Sequence, residues 1–437
     1  MTTNVFDELT WRGMVYDATP GCDGMLATEK VACYIGFDPS AKSLHMGQLI
    51  PIALLARMQR YGHTPIAIAG GGTGMIGDPR PTAERQLLSK ETVEENVLGI
   101  RAQLERFLDF KAKNNPAKLI NNADWLFKLG LIDFLRDTGK QFTVNYMLDK
   151  ESVKARLGRE AGVSFTEFSY MLLQAYDYLQ LYRGHGCRLQ MGGSDQWGNI
   201  LAGVDLIKKV AATTNQAGAV TGYSHGEPHA LVHPLLTTAS GEKFGKSEGN
   251  ALWLDRSMTS PYRFYQYWFN VDDRDVVTYL KWFTLLDRPE IEGLEEAVRT
   301  EPANREAQKR LAREVTIAAH GQDGLDEAER VTAAFFGGEL ARLGASDIED
   351  VLGDAPSGHV PRSALQGGMS FDRFAVAAGL CVSNAEARRL IDQGGAYLND
   401  ARILDPRQAV TVEHLIDGRI VILRRGVKTY RLVQITG

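Results

Sequence analysis

The chain has 437 residues, 44% of them hydrophobic and 24% charged, with a formal net charge of −5. That length exceeds one ordinary domain and calls for roughly two to four. No run approaches the roughly 18 apolar residues of a membrane span, and the acidic balance argues against a protein that coats nucleic acid. The first residues, Met1-Thr2-Thr3-Asn4-Val5-Phe6-Asp7-Glu8, carry neither a basic nor an apolar signal region, so a cytoplasmic chain with no membrane partner and no DNA partner is expected. Cys22, Cys33, Cys187 and Cys381 are scattered with no Cys-x-x-Cys, so neither a disulfide framework nor a metal site is expected. Charge is uneven: residues 371–437 hold ten Lys or Arg against seven Asp or Glu, a mildly basic tail on an acidic body.

In chain order, the first thirty residues read as a helix and loop leading into a buried strand, Val31 to Phe37, which Asp38-Pro39-Ser40 stops. A helix is predicted from about Gly47 to Arg60, with Ile50, Leu54, Leu55 and Met58 at helical spacing and Pro51 in the first turn. Its N-terminus, with Gly47 permitting close approach and His45 beside it as a donor, suits an anion such as phosphate. A second strand, Thr64 to Ala69, runs into Gly70-Gly71-Gly72-Thr73-Gly74-Met75-Ile76-Gly77-Asp78. Gly72, Gly74 and Gly77 match a dinucleotide fingerprint, but Asp78-Pro79-Arg80-Pro81 blocks the helix that fingerprint must open. The preferred reading is a glycine-rich floor for a small substrate, presenting Asp78 to a cation such as an ammonium group.

Leu87 to about Lys113 is predicted to be a long amphipathic helix, and Asp124 to Arg159 carries further helical signals. Ser164-Phe165-Thr166-Glu167 is a capping box that opens a helix ending at Gly184 or Gly186. On it Tyr170, Gln174 and Asp177 fall on one stripe beside an apolar face. Phe168 to Tyr182 holds no Lys or Arg, so the helix reads as buried and its polar stripe as ligand-facing. A short strand, Leu189-Gln190-Met191, precedes Gly192-Gly193-Ser194-Asp195-Gln196, where Asp195 is placed to bind ribose hydroxyls. His225, His229 and His233 recur every four residues, but Gly226 and Pro228 break any helix that would make them a metal triad. Lys243-Phe244-Gly245-Lys246-Ser247 is a loop whose two lysines suit a triphosphate. From Pro261 to about Phe336 the pattern is helical, opening on a crowd of aromatics read as core in preference to an RNA-stacking surface. Gly337 to about Gly368, with seven glycines and two prolines, reads as a linker.

His45-Met46-Gly47-Gln48 resembles the first signature of class I aminoacyl-tRNA synthetases, and Lys243-Phe244-Gly245-Lys246-Ser247 resembles the second. Between them, Phe168 to Asp177 and Gly192 to Asn199 closely resemble bacterial tyrosyl-tRNA synthetases. In the tail, Ser383 to Ile391 with Gly394 to Asn399 resembles the helix, turn and strand of an S4-type RNA-binding module, with Arg388 and Arg389 facing RNA backbone.

The resemblance implies an α/β fold: a Rossmann-like parallel-sheet catalytic domain over residues 1–235, with an inserted dimerisation region at about 124–160. A signature loop and α-helical anticodon-binding domain at 236–336, the linker at 337–370 and a small α+β S4-like domain at 371–437 would follow. It implies a homodimeric tyrosine-tRNA ligase that uses L-tyrosine, ATP with Mg²⁺, and tRNA(Tyr). His45, Gln48, Lys243, Lys246 and Ser247 would be catalytic, and Gln48 departs from the family's usual second histidine, since an amide carries no charge. Tyr34, Asp78, Tyr170, Gln174, Asp177 and Gln190 would bind tyrosine, Tyr34 and Asp177 meeting its phenolic hydroxyl and Asp78 its amino group. Gly36, Asp38, Gly47, Gly193, Asp195, Gln196 and Lys246 would bind ATP. Three rivals stand beside this reading: a tryptophanyl-tRNA synthetase, which should lack the Tyr34 and Asp177 pair; a non-enzymatic RNA-binding protein, which has no use for an ATP site; and a nicotinamide oxidoreductase, weakened by the prolines after Gly77.

Overall fold

The computed structural model describes residues 4–78, 88–150, 153–154, 162–216, 219–241, 244, 252–337, 339–353, 355–426 and 429–437. The chain divides into two compact units, Met1–Met258 with Phe269–Ala319, and Thr259–Trp268 with His320–Gly437.

Apolar, β-branched runs build the sheet of the first unit: β1 (Asp17–Ala18), β2 (Ala32–Phe37), β3 (Thr64–Ala69), β4 (Lys118–Asn121) and β5 (Cys187–Gly193). After a small antiparallel pair, β6 (Ala212–Thr214) and β7 (Val220–Tyr223), comes β8 (His229–His233). The order is β1-β8-β5-β2-β3-β4, parallel except for β1 against β8. From β2 the chain steps outward to β3 and β4, then returns to the other side of β2 with β5 and β8. The order therefore reverses between β2 and β5, and a crevice at the carboxyl ends of such strands is where open parallel sheets take ligands.

The helix Leu49–Arg60 packs against β2 and β3. The helix Phe165–His185 packs on Trp197–Val210 and β5, sharing a core with Tyr34, Ile66 and Ile68. Its start is set by the Ser164 side chain, which accepts the Glu167 N–H, and its end by Gly186 at φ 60°. Sequence reasoning finds β2, β3, the helices Leu49–Arg60 and Phe165–His185 and the middle of β5, and misses the helix Trp197–Val210. It passes over β4 and β8: each is a short strand that is identified by its neighbours more than by its own pattern. The predicted helix from Leu87 to Lys113 is shorter, Lys90–Phe107, because Leu108 turns to extended backbone at φ −121°, ψ 137°.

Two buried arginines fasten the helix Asp273–Phe283 to this unit. Arg57 donates to the carbonyls of Lys281 and Thr284, and Arg12 to those of Lys281, Thr284 and Leu286. Each guanidinium satisfies carbonyls that a helix end leaves unpaired. Residues 269–319 accordingly group with the sheet, while 259–268 and 320–337 group with the tail. The long helix Glu306–Gly337 is broken at Gly321, φ 79°, close to that division.

In the second unit Phe264 and Trp268 are fully buried, so the aromatic crowd is core. The stretch expected to be a linker is instead structured: it carries the helix Ala345–Leu352 and β9 (Ser357–Pro361), which runs parallel to a strand near the chain's end. Its few apolar residues, Leu340, Leu343, Ile348, Leu352 and Val360, are all buried, and glycine content hid that. The remaining strands are β10 (Met369–Ser370), β11 (Ala396–Leu398), β12 (Ala401–Arg402), β13 (Ala409–Val410), β14 (Ile420–Arg425) and β15 (Thr429–Thr436). The main sheet runs β12-β11-β14-β15-β9.

Candidate functional site

A cavity of about 320 Å³ opens at the carboxyl ends of β2 and β5. Its inner wall follows from register: Tyr34 of β2 lies opposite Gln190 of β5, so the two side chains stand side by side on one face. Both are 2% exposed, and among the described residues the Tyr34 hydroxyl and the Gln190 Oε1 have no hydrogen-bond partner. Burial, with the nearby Asp177 charge adding to it, keeps the Tyr34 phenol neutral far above its ordinary range.

The stripe predicted on the Phe165–His185 helix faces this cavity, with Tyr170, Gln174 and Asp177 all among its lining residues. Asp177 accepts from Asn122 Nδ2 at 2.8 Å and Trp125 Nε1 at 2.7 Å. Burial raises its pKa from the ordinary 3.8 to about 7, against the pull of those two hydrogen bonds. Asn122 and Trp125 are absent from the predicted site. They follow β4, and no motif marks them, only a pair of polar side chains after an unrecognised strand.

Tyr170 donates to Asp38, and Gln174 Oε1 accepts from Asn199 Nδ2 at 3.0 Å. Asp78 is mostly buried and fully engaged: Lys150 Nζ at 2.8 Å and Asn199 Nδ2 at 3.3 Å reach Oδ1, and Gln196 Nε2 at 3.0 Å reaches Oδ2. The cationic partner it was expected to seek is already present in the chain, as Lys150. The glycine-rich floor is only partly a floor. Gly70 and Thr73 line the cavity, but a Cβ on Gly71 would strike Asn121 and one on Gly72 would strike Leu126, so these two glycines serve packing.

His45, which is not among the residues lining the cavity, is the N-cap of a short 3-10 turn, Met46–Gln48, that precedes the Leu49–Arg60 helix. Its Nδ1 accepts the Gly47 N–H at 3.0 Å, while Gln48 Oε1 accepts the His45 N–H at 3.3 Å. The Gly47 N–H, expected to face an anion, is therefore spent on the cap; Gly47 is needed because a Cβ there would lie 2.9 Å from the His45 ring. Gln48 has a clear job as the reciprocal half of a capping box, one an amide performs without charge. Gly36, Asp38, Gln48, Gly193, Asp195 and Gln196 all line the cavity. Gly36 has open space where a Cβ would go, and one on Gly193 would lie 2.5 Å from the Asp195 carboxylate.

Lys243, Lys246 and Ser247 lie outside the described residues. Phe244 itself is described and buried, stacked on Phe283 at 5.0 Å and edge-on to Tyr279 at 5.2 Å. His229 and His233 are the two ends of β8, not a helical triad, and among the described residues no group of three or more His, Cys, Asp or Glu could hold a metal. His233, unpredicted, lines the cavity; burial lowers its pKa, so it stands neutral with Nδ1 against the Pro234 carbonyl at 2.9 Å. In the second unit the Ser383-capped helix Asn384–Asp392 carries Arg388 and Arg389. Arg388 is paired to the buried Asp372 at 2.8 Å, and Arg389 is exposed.

The description "tRNA synthetases class I (W and Y)" matches residues 26–337, a span that takes in every residue lining the cavity, and this defines the class. A second, for the SYY-like C-terminal domain of tyrosine--tRNA ligase, matches residues 347–433. The tyrosine--tRNA ligase of Roseiflexus castenholzii is 52% identical over 435 residues, covering 99% of this chain and 100% of its own. That of Bacillus caldotenax is 49% identical over 435 residues, 98% of each chain. The crystal structure of a C-terminally truncated mitochondrial tyrosyl-tRNA synthetase from Coccidioides posadasii is similar with a TM-score of 0.65 and 32% identity, covering 75% of this chain and 92% of that one. The chain belongs to the tyrosine--tRNA ligases, within the class I tRNA synthetases.

The raised carboxyl of Asp177 has a measurable consequence. The folded chain holds a proton there up to about pH 7 that the unfolded chain releases near 3.8, so this group's contribution to stability is full below about pH 4 and is lost as pH rises to about 7. Asp177→Asn does not titrate. In urea unfolding, the variant should gain on the parent chain between pH 4.5 and 7.5; parallel pH profiles would mean that Asp177 keeps an ordinary carboxylate pKa.

Proposed function

We infer that the cavity is the seat of both amino-acid activation and tyrosine choice. As a member of its family the chain joins L-tyrosine to tRNA(Tyr) in two steps. A carboxylate oxygen of tyrosine attacks the α-phosphorus of ATP, forming tyrosyl-adenylate as the bond to pyrophosphate breaks. The ribose hydroxyl of the tRNA's terminal adenosine then attacks the tyrosyl carbonyl and AMP leaves. Neither step needs a protein nucleophile; both need alignment of anionic partners and neutralisation of the charge that grows between them.

The observation that carries the assignment is the partnerless, buried Tyr34 hydroxyl beside Asp177. A phenolic substrate hydroxyl can donate to one and accept from the other. Phenylalanine would leave the Tyr34 hydroxyl unpaired and Asp177 with only Asn122 and Trp125, at about 1 to 3 kcal/mol for each unmet hydrogen bond. Tyr170, Gln174, Gln190 and Asp78 complete the tyrosine seat, with Asp78 for the ammonium group. Gly36, Asp38, Gly193, Asp195 and Gln196 hold the nucleotide, Asp195 at the ribose hydroxyls. His45, held in its cap through Nδ1, and the loop lysines Lys243 and Lys246 with Ser247 serve the phosphates. Mg²⁺ accompanies ATP on its phosphate oxygens, the hard ligands it prefers.

The helices near 124–160 expose Leu131 (70%), Ile132 (72%) and Val144 (62%), an apolar surface suited to a second copy in a homodimer. The tail, with Arg389 free of the carboxylate that holds Arg388, suits the tRNA backbone, and a cytoplasmic place fits that partner. The anticodon-binding role stays with the helical residues within 236–336.

Pyrophosphate exchange into ATP without tRNA should proceed with tyrosine and not with phenylalanine or tryptophan; exchange with tryptophan would overturn the tyrosine seat. Asp177→Ala should cut the preference for tyrosine over phenylalanine about 10- to 100-fold, on the worth of one unmet group, and an unchanged ratio would refute its role. Leu131→Glu with Ile132→Glu should halve the mass in sedimentation if this surface is the dimer contact. Arg389→Ala should weaken tRNA binding while leaving pyrophosphate exchange intact; loss of both would place Arg389 in the fold instead.

A further inference from the structure

Asp78 meets a second cation besides any substrate. Lys150 sits just after the short helix Val144–Leu148, and its ammonium lies 2.8 Å from Asp78 Oδ1, with side chains only 8% and 18% exposed. The pair is thus largely withdrawn from water, where an ion pair is screened little. Asp78 lines the cavity, whereas Lys150 does not. Asn199 and Gln196 already supply neutral donors to both carboxylate oxygens. The donors leave one negative charge, and Lys150 balances it.

We propose that Lys150 is an internal counter-ion that holds Asp78 aligned while the amino-acid seat is empty and competes with the substrate's ammonium for that carboxylate. The proposal rests on Asp78 being the ammonium seat. Lysine's ε-ammonium and the α-ammonium of an amino acid are the same chemical group, a compact charge with three donors. A carboxylate oxygen can accept from either, but two ammonium ions at hydrogen-bond distance from one carboxylate repel each other across a few ångströms. Arrival of the substrate therefore releases Lys150, whose four-carbon stem lets the head withdraw without moving the sheet. Tyrosine binding is weaker than a bare Asp78 would give. Lys150 acts through Asp78 and is a positioning residue.

The test compares two ligands, L-tyrosine and 3-(4-hydroxyphenyl)propionate, which lacks the ammonium group, by calorimetric titration of the full-length protein. Lys150→Met should bind tyrosine several-fold more tightly and the desamino acid unchanged. Lys150→Arg, which grips a carboxylate with two donors, should bind tyrosine more weakly, again with the desamino acid unchanged. This split separates competition from a folding defect, which would weaken both ligands in both variants. Unchanged or weakened tyrosine binding in Lys150→Met overturns the proposal. Asp78→Asn separates it from the reading beneath: loss of tyrosine affinity with the desamino acid retained keeps Asp78 as the ammonium seat, so that a failure of Lys150→Met then falls on the counter-ion alone. If Asp78→Asn leaves tyrosine binding intact, the seat and the counter-ion fall together.

Discussion

The parallel pairing of β2 with β5 is the constraint on which the rest depends. It sets Tyr34 opposite Gln190 across a great length of chain, and it places the reversal of strand order where two loops diverge. A slip of one residue in that register would turn Tyr34 from the cavity face to the other face and bring Cys33 in its place. The fold cannot tolerate that slip, because Cys33 and Tyr34 are both buried and each face has its own core. Register is thus protected by burial, and with it the cavity wall that Tyr34 and Gln190 form.

Around this axis the polar groups of the site form a connected set. Asn122 ties Thr73 to Asp177, Tyr170 meets Asp38, and Asn199 joins Gln174 to Asp78. Buried polar groups are ordinarily satisfied, so the exceptions matter: among the described residues the Tyr34 hydroxyl, Gln190 Oε1 and Asn199 Oδ1 find no partner in and beside the cavity. The carboxyl of Asp177 is raised by burial even with the Asn122 and Trp125 donors in place, since burial disfavours the charged form.

The two-unit division follows from where arginines find carbonyls. Arg12 and Arg57 draw the helix Asp273–Phe283 to the sheet unit, and Phe244 stacks on Phe283 and Tyr279 of that helix. Phe244 is therefore packed on a helix that sequence alone would assign to a separate domain. The tail is built on another plan, with β9 closing a sheet whose last strand is β15, so that the stretch resembling a linker is the edge of its fold.

By itself the sequence determined the local and periodic features: the strands at β2 and β3, the Ser164 cap, the buried helix with its stripe at Tyr170, Gln174 and Asp177, and the paired signatures at His45 and Lys243. Each is written in neighbouring residues, in spacing of 2.0 or 3.6 or in a cap, and so is legible without partners. Tertiary structure alone decided the rest. Lys150 reaches Asp78, and Asn122 and Trp125 reach Asp177, across dozens of residues with no pattern to announce them. The Gly47 N–H went to His45 Nδ1 because a histidine in the cap position competes for it, and β4 and β8 became strands because a neighbour offered them a ladder. Short-range preference is a property of the chain, whereas pairing of polar groups far apart is settled only when packing brings them together and removes the water they would otherwise bind.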